Sequence, residues 1–282
     1  MKIDKVMDRV THTVFALFLV VWLSVAGIIV WGTWRFISHY GFLSPILSSR
    51  WNPLAGQFGL WPFILGSLTV TVLAVVIAFP GSLALSVLGS RILQGIWRRY
   101  FVRLLMVFVS VPSVLYGWWG LTVIVPWVRR LSGTSGYGML SASVVLGLMI
   151  LPTFSILSLE AIRQVPESYV EGSVGLGATE DQTLWRIILP AARPRLVQAA
   201  LIAVARGLGE TIAVQMVIGG QIGGPGLLHP AATLTTQLLT DLPFLPPGVP
   251  GHDVLDFMAF DLMVLMTIIV WLQMRIGSWR YE

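Results

Sequence analysis

The chain has 282 residues, of which 56 % are hydrophobic and only 11 % charged. A water-soluble domain of that length carries about 25 % charged residues, so the composition excludes an ordinary soluble fold and assigns an integral membrane protein. The formal charge of +5 does not mark a nucleic-acid binder, because the basic residues lie between apolar runs and not among aromatics on a polar face. Cysteine is absent, which removes disulfides and thiolate metal sites.

Six apolar stretches are long enough to cross a hydrocarbon core of about 30 Å, which needs about 20 helical residues. They lie near Val14–Thr33, Phe63–Leu88, Leu104–Val125, Leu140–Leu159, Leu196–Ile218 and Val254–Ile276. Each is predicted helical, because lipid cannot satisfy open backbone groups. The first run is too long for a signal-peptide core and no small-residue cleavage site follows it, so it is read as a true span. The fold class is therefore all-α, with about six transmembrane helices in a single membrane domain over residues 1–282 and a core over about 61–277.

Lysine and arginine placement gives the orientation. With the N-terminus inside, thirteen of the 18 basic residues fall on inner segments, Lys2, Lys5, Arg9 and Arg280 among them. Arg35, Arg50, Arg129 and Arg130 fall outside, and Arg206 lies within a span. Both termini are expected to face the cytoplasm. Trp22, Trp31, Trp34, Trp61, Trp118, Trp119, Trp127 and Trp271 lie near span ends and read as interfacial anchors. Pro80, Pro112 and Pro152 fall in or at the edges of spans, where they kink helices.

One inner loop, residues 164–190, differs from the rest. It reads Gln164-Val165-Pro166-Glu167-Ser168-Tyr169-Val170-Glu171-Gly172-Ser173-Val174-Gly175-Leu176-Gly177-Ala178 and continues through Thr179 to Pro190. The pattern predicts helix, glycine turn, helix. Pro166 suits a first helical position with acidic residues behind it. Gly175 and Gly177 are able to adopt the positive φ that ends a short helix. Thr179 and Gln182 form a capping-box pattern, and Pro190 is expected to terminate the second helix. Tyr169, Val170, Val174 and Leu176 among polar neighbours suit either insertion into a partner's groove or a helix lying on lipid.

The order Glu171, then Gly177-Ala178, then Ile187-x-Leu189-Pro190 resembles the EAA signature of ABC importer permeases, at the spacing of that family. Gly172 and Ser173 depart from the usual alanines but are also small. The resemblance implies a type I importer permease fold in which Glu171, Gly172, Ser173, Gly177, Ala178, Ile187, Leu189 and Pro190 couple the chain to a separate ATPase subunit. ATP and magnesium would be bound there, with no cofactor in this chain. No G-x-x-x-x-G-K-[ST] loop occurs, and the cluster Gly219-Gly220-Gln221-Ile222-Gly223-Gly224 has no following lysine and reads as an outer turn.

Arg206, within Ala203–Val214, lies eleven residues past Arg195, about 16 Å along a helix and near mid-membrane. A mid-bilayer arginine costs about 2.5–3.5 kcal/mol on insertion scales, so it requires a partner or a polar cavity. Glu210, four residues on, is placed one turn outward on the same helical face. One reading is a buried ion pair that fixes packing; the other is a polar station on an anion path, since arginine forks match phosphate oxygens. The glycines at 207 and 209 leave the backbone open to a helix or a ligand.

The Arg206-Gly-Leu-Gly-Glu-Thr-Ile-Ala-Val run resembles the corresponding helix of phosphate-importer permeases. Trp51-Asn52-Pro53 with Phe58-Gly59, Pro62-Phe63-Ile64-x-Gly66-Ser67-Leu68 and Val111-Pro112-Ser113-Val114-Leu115-Tyr116-Gly117 agree with the C-type subunit of that permease pair. This likeness runs from about Trp51 to Leu228. It implies an importer for inorganic phosphate in a prokaryotic inner membrane, with Arg206 and Glu210 as translocation residues. It further implies a second homologous permease, two ATP-binding cassette ATPases, an extracytoplasmic phosphate-binding protein, surrounding lipid and no nucleic acid. A permease for molybdate or sulfate keeps the coupling loop without needing the Arg206 and Glu210 couple, and an ATP-independent secondary transporter needs neither. Thr134-Ser135-Gly136-Tyr137-Gly138 looks like a channel filter but has no pore helix before it. Asp256 and Asp261, at the outer end of the last span, suit capping it or, as the second reading, facing a vestibule.

Overall fold

In the computed structural model, which describes residues 2–222, 226–247, 249 and 251–277, the regular structure is helical apart from one two-stranded hairpin. Five helices are long and apolar enough to cross a membrane, and a bent helix pair makes a sixth crossing when taken as one span. Contacts divide the chain into two compact units, Met1–Trp61 with Thr240–Met263, and Pro62–Leu239 with Val264–Glu282. Arg280 lies outside the described residues.

The first unit begins with α1 (Lys2–Tyr40). Val14, Phe18, Val21, Trp22, Val25 and Ile28 are all exposed, so most of this helix is apolar on every side and uncovered. Such a helix belongs in lipid or under a partner. Only its last turns are held. Gly32 lies against the Asp256 carboxylate, Thr33 Oγ1 donates to the Asp256 carbonyl at 3.2 Å, and Arg35 pairs with Asp253. Phe36 is buried, stacked on Phe257 at 4.9 Å and edge-on to Phe58 at 5.3 Å.

A short α2 (Leu43–Leu47) leads into an antiparallel hairpin, β1 (Trp51–Asn52) and β2 (Gln57–Phe58), with Trp51 opposite Phe58. The hairpin explains the Trp51-Asn52-Pro53 and Phe58-Gly59 motif. Asn52 Oδ1 accepts from Ala55 N at 3.3 Å, Pro53 opens the tight turn, and Gly56 closes it at φ 69°. Gly59 presses against the Arg50 and Ser48 backbone, where a Cβ would come within 2.5 Å of Arg50 N.

In the second unit α3 (Trp61–Val87) carries Pro80 inside and ends in a wide π turn, Leu88–Ile92. Next come α4 (Gly95–Val109), α5 (Ser113–Trp119), a π turn over Gly120–Ile124 and α6 (Val125–Ser132). The third expected span is thus broken, with an 82° bend between Gly95–Val109 and Ser113–Ser132. Pro112 sits at the break as the N-cap of α5, and Tyr116 OH donates back to the Phe108 carbonyl at 3.0 Å.

The spine is α7 (Met139–Arg163), with Ala142, Val145, Leu146, Met149, Ile150 and Phe154 buried. Beyond it lie α8 (Glu167–Gly175), α9 (Glu180–Thr183), a π turn at Leu184–Ile188, α10 (Leu189–Leu208), α11 (Ile212–Ile218), α12 (Leu234–Asp241) and α13 (Asp253–Gly277). Val70 and Ala74 of α3, Ala199 and Ala203 of α10, and Val214 and Val217 of α11 join α7 in one apolar core. Lipid tails are as apolar as leucine, so association rests on close packing of small residues. A Cβ on Gly120 would meet Val145 at 2.4 Å, and one on Gly66 would meet the Ala232 carbonyl oxygen at 2.2 Å.

Three expectations are corrected. The crossing helix of the fifth span runs Glu180–Leu208, not Leu196–Ile218, and α11 follows as a separate helix after a break. Pro190 does not terminate a helix. It falls in the first turn of α10 directly after the π turn, where the hydrogen-bond ladder changes register and the missing N–H leaves no gap. Asp261 is no cap either, because it lies two turns into α13, buried, with Oδ2 unpartnered. Asp256 does fall in the first turn of that helix.

Gly66→Ala sets a methyl group against a backbone carbonyl that cannot swing aside. The expected loss is about 1–3 kcal/mol, read as a lower Tm of the purified chain in detergent. An unchanged Tm would show that α3 and the Ala232 segment separate freely.

Candidate functional site

The loop after α7 folds as the sequence predicts, with two adjustments. Pro166 occupies the N-cap and Glu167 the first helical position of α8. Gly177, at φ 81°, makes the left-handed turn, whereas Gly175 remains helical. Thr179 Oγ1 accepts from Gln182 N at 3.3 Å while Gln182 Oε1 accepts from Thr179 N at 3.1 Å, which closes the capping box of α9. Ser173 and Thr183 hydroxyls meet at 2.9 Å and tie α8 to α9. Underneath, Ile162, Val165, Ile188 and Ala192 form a small buried cluster that fixes the loop to the bundle, with Leu189 packed against it.

The other face of α8 is bare. None of its residues is buried, Glu171 and Gly172 are exposed, and Leu176 stands 92 % exposed. A Cβ added at Gly172, Gly175 or Gly177 would meet open space, so no close packing within the chain requires their smallness. Ser173, Ala178, Ile187 and Leu189 are half-buried and Pro190 exposed, which divides the motif into an outward rim and an inward foot. An exposed leucine at the C-cap of a short helix, followed directly by the capped α9, suits an anchor that fills a partner's groove.

Arg91 was not singled out from the sequence. It ends the π turn after α3 and lines a cavity of about 320 Å³ with Val170, Glu180 and Asp181, its Nε buried and unpartnered. The only sequence signal was a basic residue at a span end, indistinguishable from an orientation charge.

The second polar region is the break between α10 and α11. Gly209 caps α10, and Glu210, just before the N-cap Thr211, reaches forward so that its Oε1 accepts from Ala213 N at 3.2 Å in the first turn of α11. The structure therefore does not join Glu210 to Arg206. Four-residue spacing places two side chains on one face only while the helix continues, and here it stops between them. Arg206 is exposed, makes no ion pair or hydrogen bond among the described residues, and lies close enough to Tyr116 for its charge to act there.

Thr235 Oγ1 donates to the Glu210 carbonyl at 3.3 Å, and Thr233 and Thr235 hydroxyls meet at 3.0 Å. Thr233 and Thr236 bond each other's backbone N–H, and Ser67 Oγ accepts from Leu234 N at 2.9 Å. These threonines were missed from the sequence, although a Thr-Leu-Thr-Thr run beside apolar spans was the available signal. Gly207 packs against Thr71, where a Cβ would come within 3.0 Å, so its smallness serves a helix and not a ligand.

Elsewhere, Gly219 and Gly220 adopt φ 93° and 64° in a turn held to Ala231, while Gly223 and Gly224 lie outside the described residues. In the filter-like stretch Gly138 is pressed against the His229 and Leu227 carbonyls, a loop contact and not a pore lining.

A polytopic helical domain that presents one free helix beside the membrane and an unpaired arginine at a helix break is a transport permease in architecture. Residues 81–276 match the model of the binding-protein-dependent transport system inner membrane component, and the chain belongs to that family. It is 34 % identical to the probable ABC transporter permease protein YqgH of Bacillus subtilis, over 99 % of this chain and 93 % of that one. It is 30 % identical to the phosphate transport system permease protein PstC of Xylella fastidiosa, over 80 % and 76 % of the two chains. Among solved structures it is similar to the MetNI methionine ABC transporter in an inward-facing conformation, at 25 % identity and TM-score 0.55 over 77 % of this chain and 95 % of that one. The chain is accordingly a multi-pass inner-membrane transport subunit and not an enzyme.

The break makes the two polar residues separable. Glu210→Ala removes the acceptor of Ala213 N in the first turn of α11, with an expected loss of about 0.5–2 kcal/mol. Arg206→Ala is expected within about 0.5 kcal/mol of wild type. Thermal unfolding of both variants in detergent checks this, and a large loss in Arg206→Ala would restore the ion-pair reading.

Proposed function

We propose that this chain is the membrane-spanning permease subunit of an ATP-driven ABC importer for inorganic phosphate. Similarity to phosphate transport permeases over most of the chain carries the cargo assignment. The physical support is Arg206. An arginine exposed at a helix break within a membrane domain, with no carboxylate paired to it among the described residues, suits an anion in transit. Glu210 and Thr235 fix the break that presents it.

The free rim of Glu171, Gly172 and Leu176 supports docking into a partner ATPase, in which ATP and magnesium are bound. Two such ATPases, a second homologous permease and an extracytoplasmic phosphate-binding protein complete the machine. Both termini face the cytoplasm, following the lysine and arginine distribution. The nucleotide states of the ATPases then bias inward-open against outward-open arrangements of the spans.

Labelled phosphate uptake in cells with and without the chain, challenged by excess sulfate or molybdate, tests the cargo. Chain-dependent, ATP-dependent uptake that resists both competitors is expected. Loss of sulfate or molybdate uptake with phosphate unaffected would replace the cargo and keep the class. In the same assay Arg206→Ala is expected to reduce uptake at least tenfold while the assembled complex is recovered intact.

Leu176→Asp tests the docking helix. It is expected to weaken recovery of the ATPase with the permease at least tenfold, as truncation of a central apolar anchor does, without shifting the Tm of the isolated chain. Undiminished recovery would remove α8 from the interface.

A further inference from the structure

The first unit contains a cavity of about 210 Å³ bounded by the end of α1, by α2 and by the β1–β2 hairpin. Its polar lining is Tyr40, Ser44, Ser48, Arg50 and Gln57. Every one of these side chains is able to donate a hydrogen bond, one carries a permanent positive charge, and no carboxylate lines the cavity. Tyr40 OH, Ser44 Oγ, the Arg50 guanidinium and the Gln57 amide have no hydrogen-bond or ion-pair partner among the described residues. Ser48 Oγ accepts from Arg50 N at 3.4 Å, which leaves its proton free to donate.

The frame of the cavity is rigid for local reasons. Asn52 caps the hairpin turn, Gly56 closes it, and Gly59 N donates to Arg50 O at 2.7 Å. Leu60 N donates to Pro45 O at 2.8 Å and Trp61 N to Ser48 O at 3.2 Å, holding the strand exit against α2. Tyr40 is fixed edge-on against Phe58 at 4.7 Å. The backbone that carries the donors and the Tyr40 ring are thus held before a ligand arrives, while the exposed Arg50 and Gln57 side chains are ordered on binding.

We propose that this cavity binds a tetrahedral oxyanion, phosphate under the functional reading above, on the outer side of the membrane, with Arg50 as the bidentate anchor and Ser44, Ser48, Tyr40 and Gln57 as further donors. The inference rests on that reading for the identity of the anion and for the outward placement of α2 and the hairpin. A donor-only lining with one guanidinium matches an ion that offers only acceptors. The cavity is several times larger than a single oxyanion and open to one side, so the ion keeps part of its water and binds weakly. Such a site holds the ion on the outer side of the membrane without trapping it.

The test is titration of inorganic phosphate into the purified permease and ATPase complex in nanodiscs, with no binding protein present, followed by calorimetry or by 31P line broadening. Wild-type complex is expected to bind phosphate saturably. Arg50→Gln is expected to weaken this binding about tenfold to a hundredfold, the Ser44→Ala and Ser48→Ala double variant to weaken it less, and Arg50→Lys to recover part of the loss. Docking of the phosphate-loaded binding protein on the same variants is measured in parallel. Equal phosphate binding by wild type and Arg50→Gln overturns the proposal; if docking alone then falls, Arg50 receives an acidic side chain of that protein. Should the complex import sulfate or molybdate and bind that ion through Arg50, the cavity stands and the cargo assignment falls. Import of phosphate with no Arg50-dependent binding sinks the cavity and leaves the importer.

Discussion

In a hydrocarbon layer no water is available to receive a stray N–H or C=O, so every departure from regular helix must carry its own hydrogen-bond partners. The second unit follows this constraint wherever its chain bends. At Pro112 the chain turns through a right-angle-like break, and the Tyr116 hydroxyl bonds the Phe108 carbonyl. At Gly209 the ladder stops, and the Glu210 carboxylate takes up Ala213 N while Thr235 takes up the Glu210 carbonyl. Ser67 reaches across to Leu234 N at the start of α12. The polar residues at these breaks are thus committed to backbone, whereas Arg206, exposed beside one of them, has no hydrogen bond or ion pair among the described residues.

That distinction changes what the Arg206–Glu210 segment means. Read as a continuous helix, the two residues neutralise each other and either a packing role or a transport role is equally served. With the helix broken, Glu210 has a structural occupation and Arg206 has no ion pair among the described residues. The same logic separates the two faces of the coupling loop. Leu189 packs on the buried cluster under the loop and Ser173 ties α8 to α9, while Glu171, Gly172 and Leu176 are exposed.

The membrane class, the positions of most spans and the helix–turn–helix of the coupling loop were legible because each rests on local rules: run length, capping chemistry and glycine at a left-handed turn. Thr179 with Gln182 is the clearest instance, since the capping box needs only residues three apart. The broken third and fifth spans were not legible as breaks. Apolar composition is the same on both sides of Pro112 and of Gly209, and hydropathy does not register direction. Pro190 misled for a related reason, because a proline stop assumes an α-helical ladder and the chain enters it from a π turn. The threonine cluster at 233–236 and Arg91 owe their surroundings to segments far away in sequence, which no local pattern reports.

The three π turns, at Leu88–Ile92, Gly120–Ile124 and Leu184–Ile188, have a consequence for how this chain is compared with its relatives. A π turn accommodates one residue more than the α turn it replaces. Downstream of the second and third, which run directly into α6 and α10, every side chain is rotated by about 100° relative to an uninterrupted helix. Two relatives that differ by a single insertion or deletion at such a turn therefore keep identical lipid-facing and core-facing surfaces beyond it only if the turn switches type. A gap of one residue inside a membrane helix is then a conserved geometry in disguise, and residue-by-residue transfer of roles across it has to be done turn by turn.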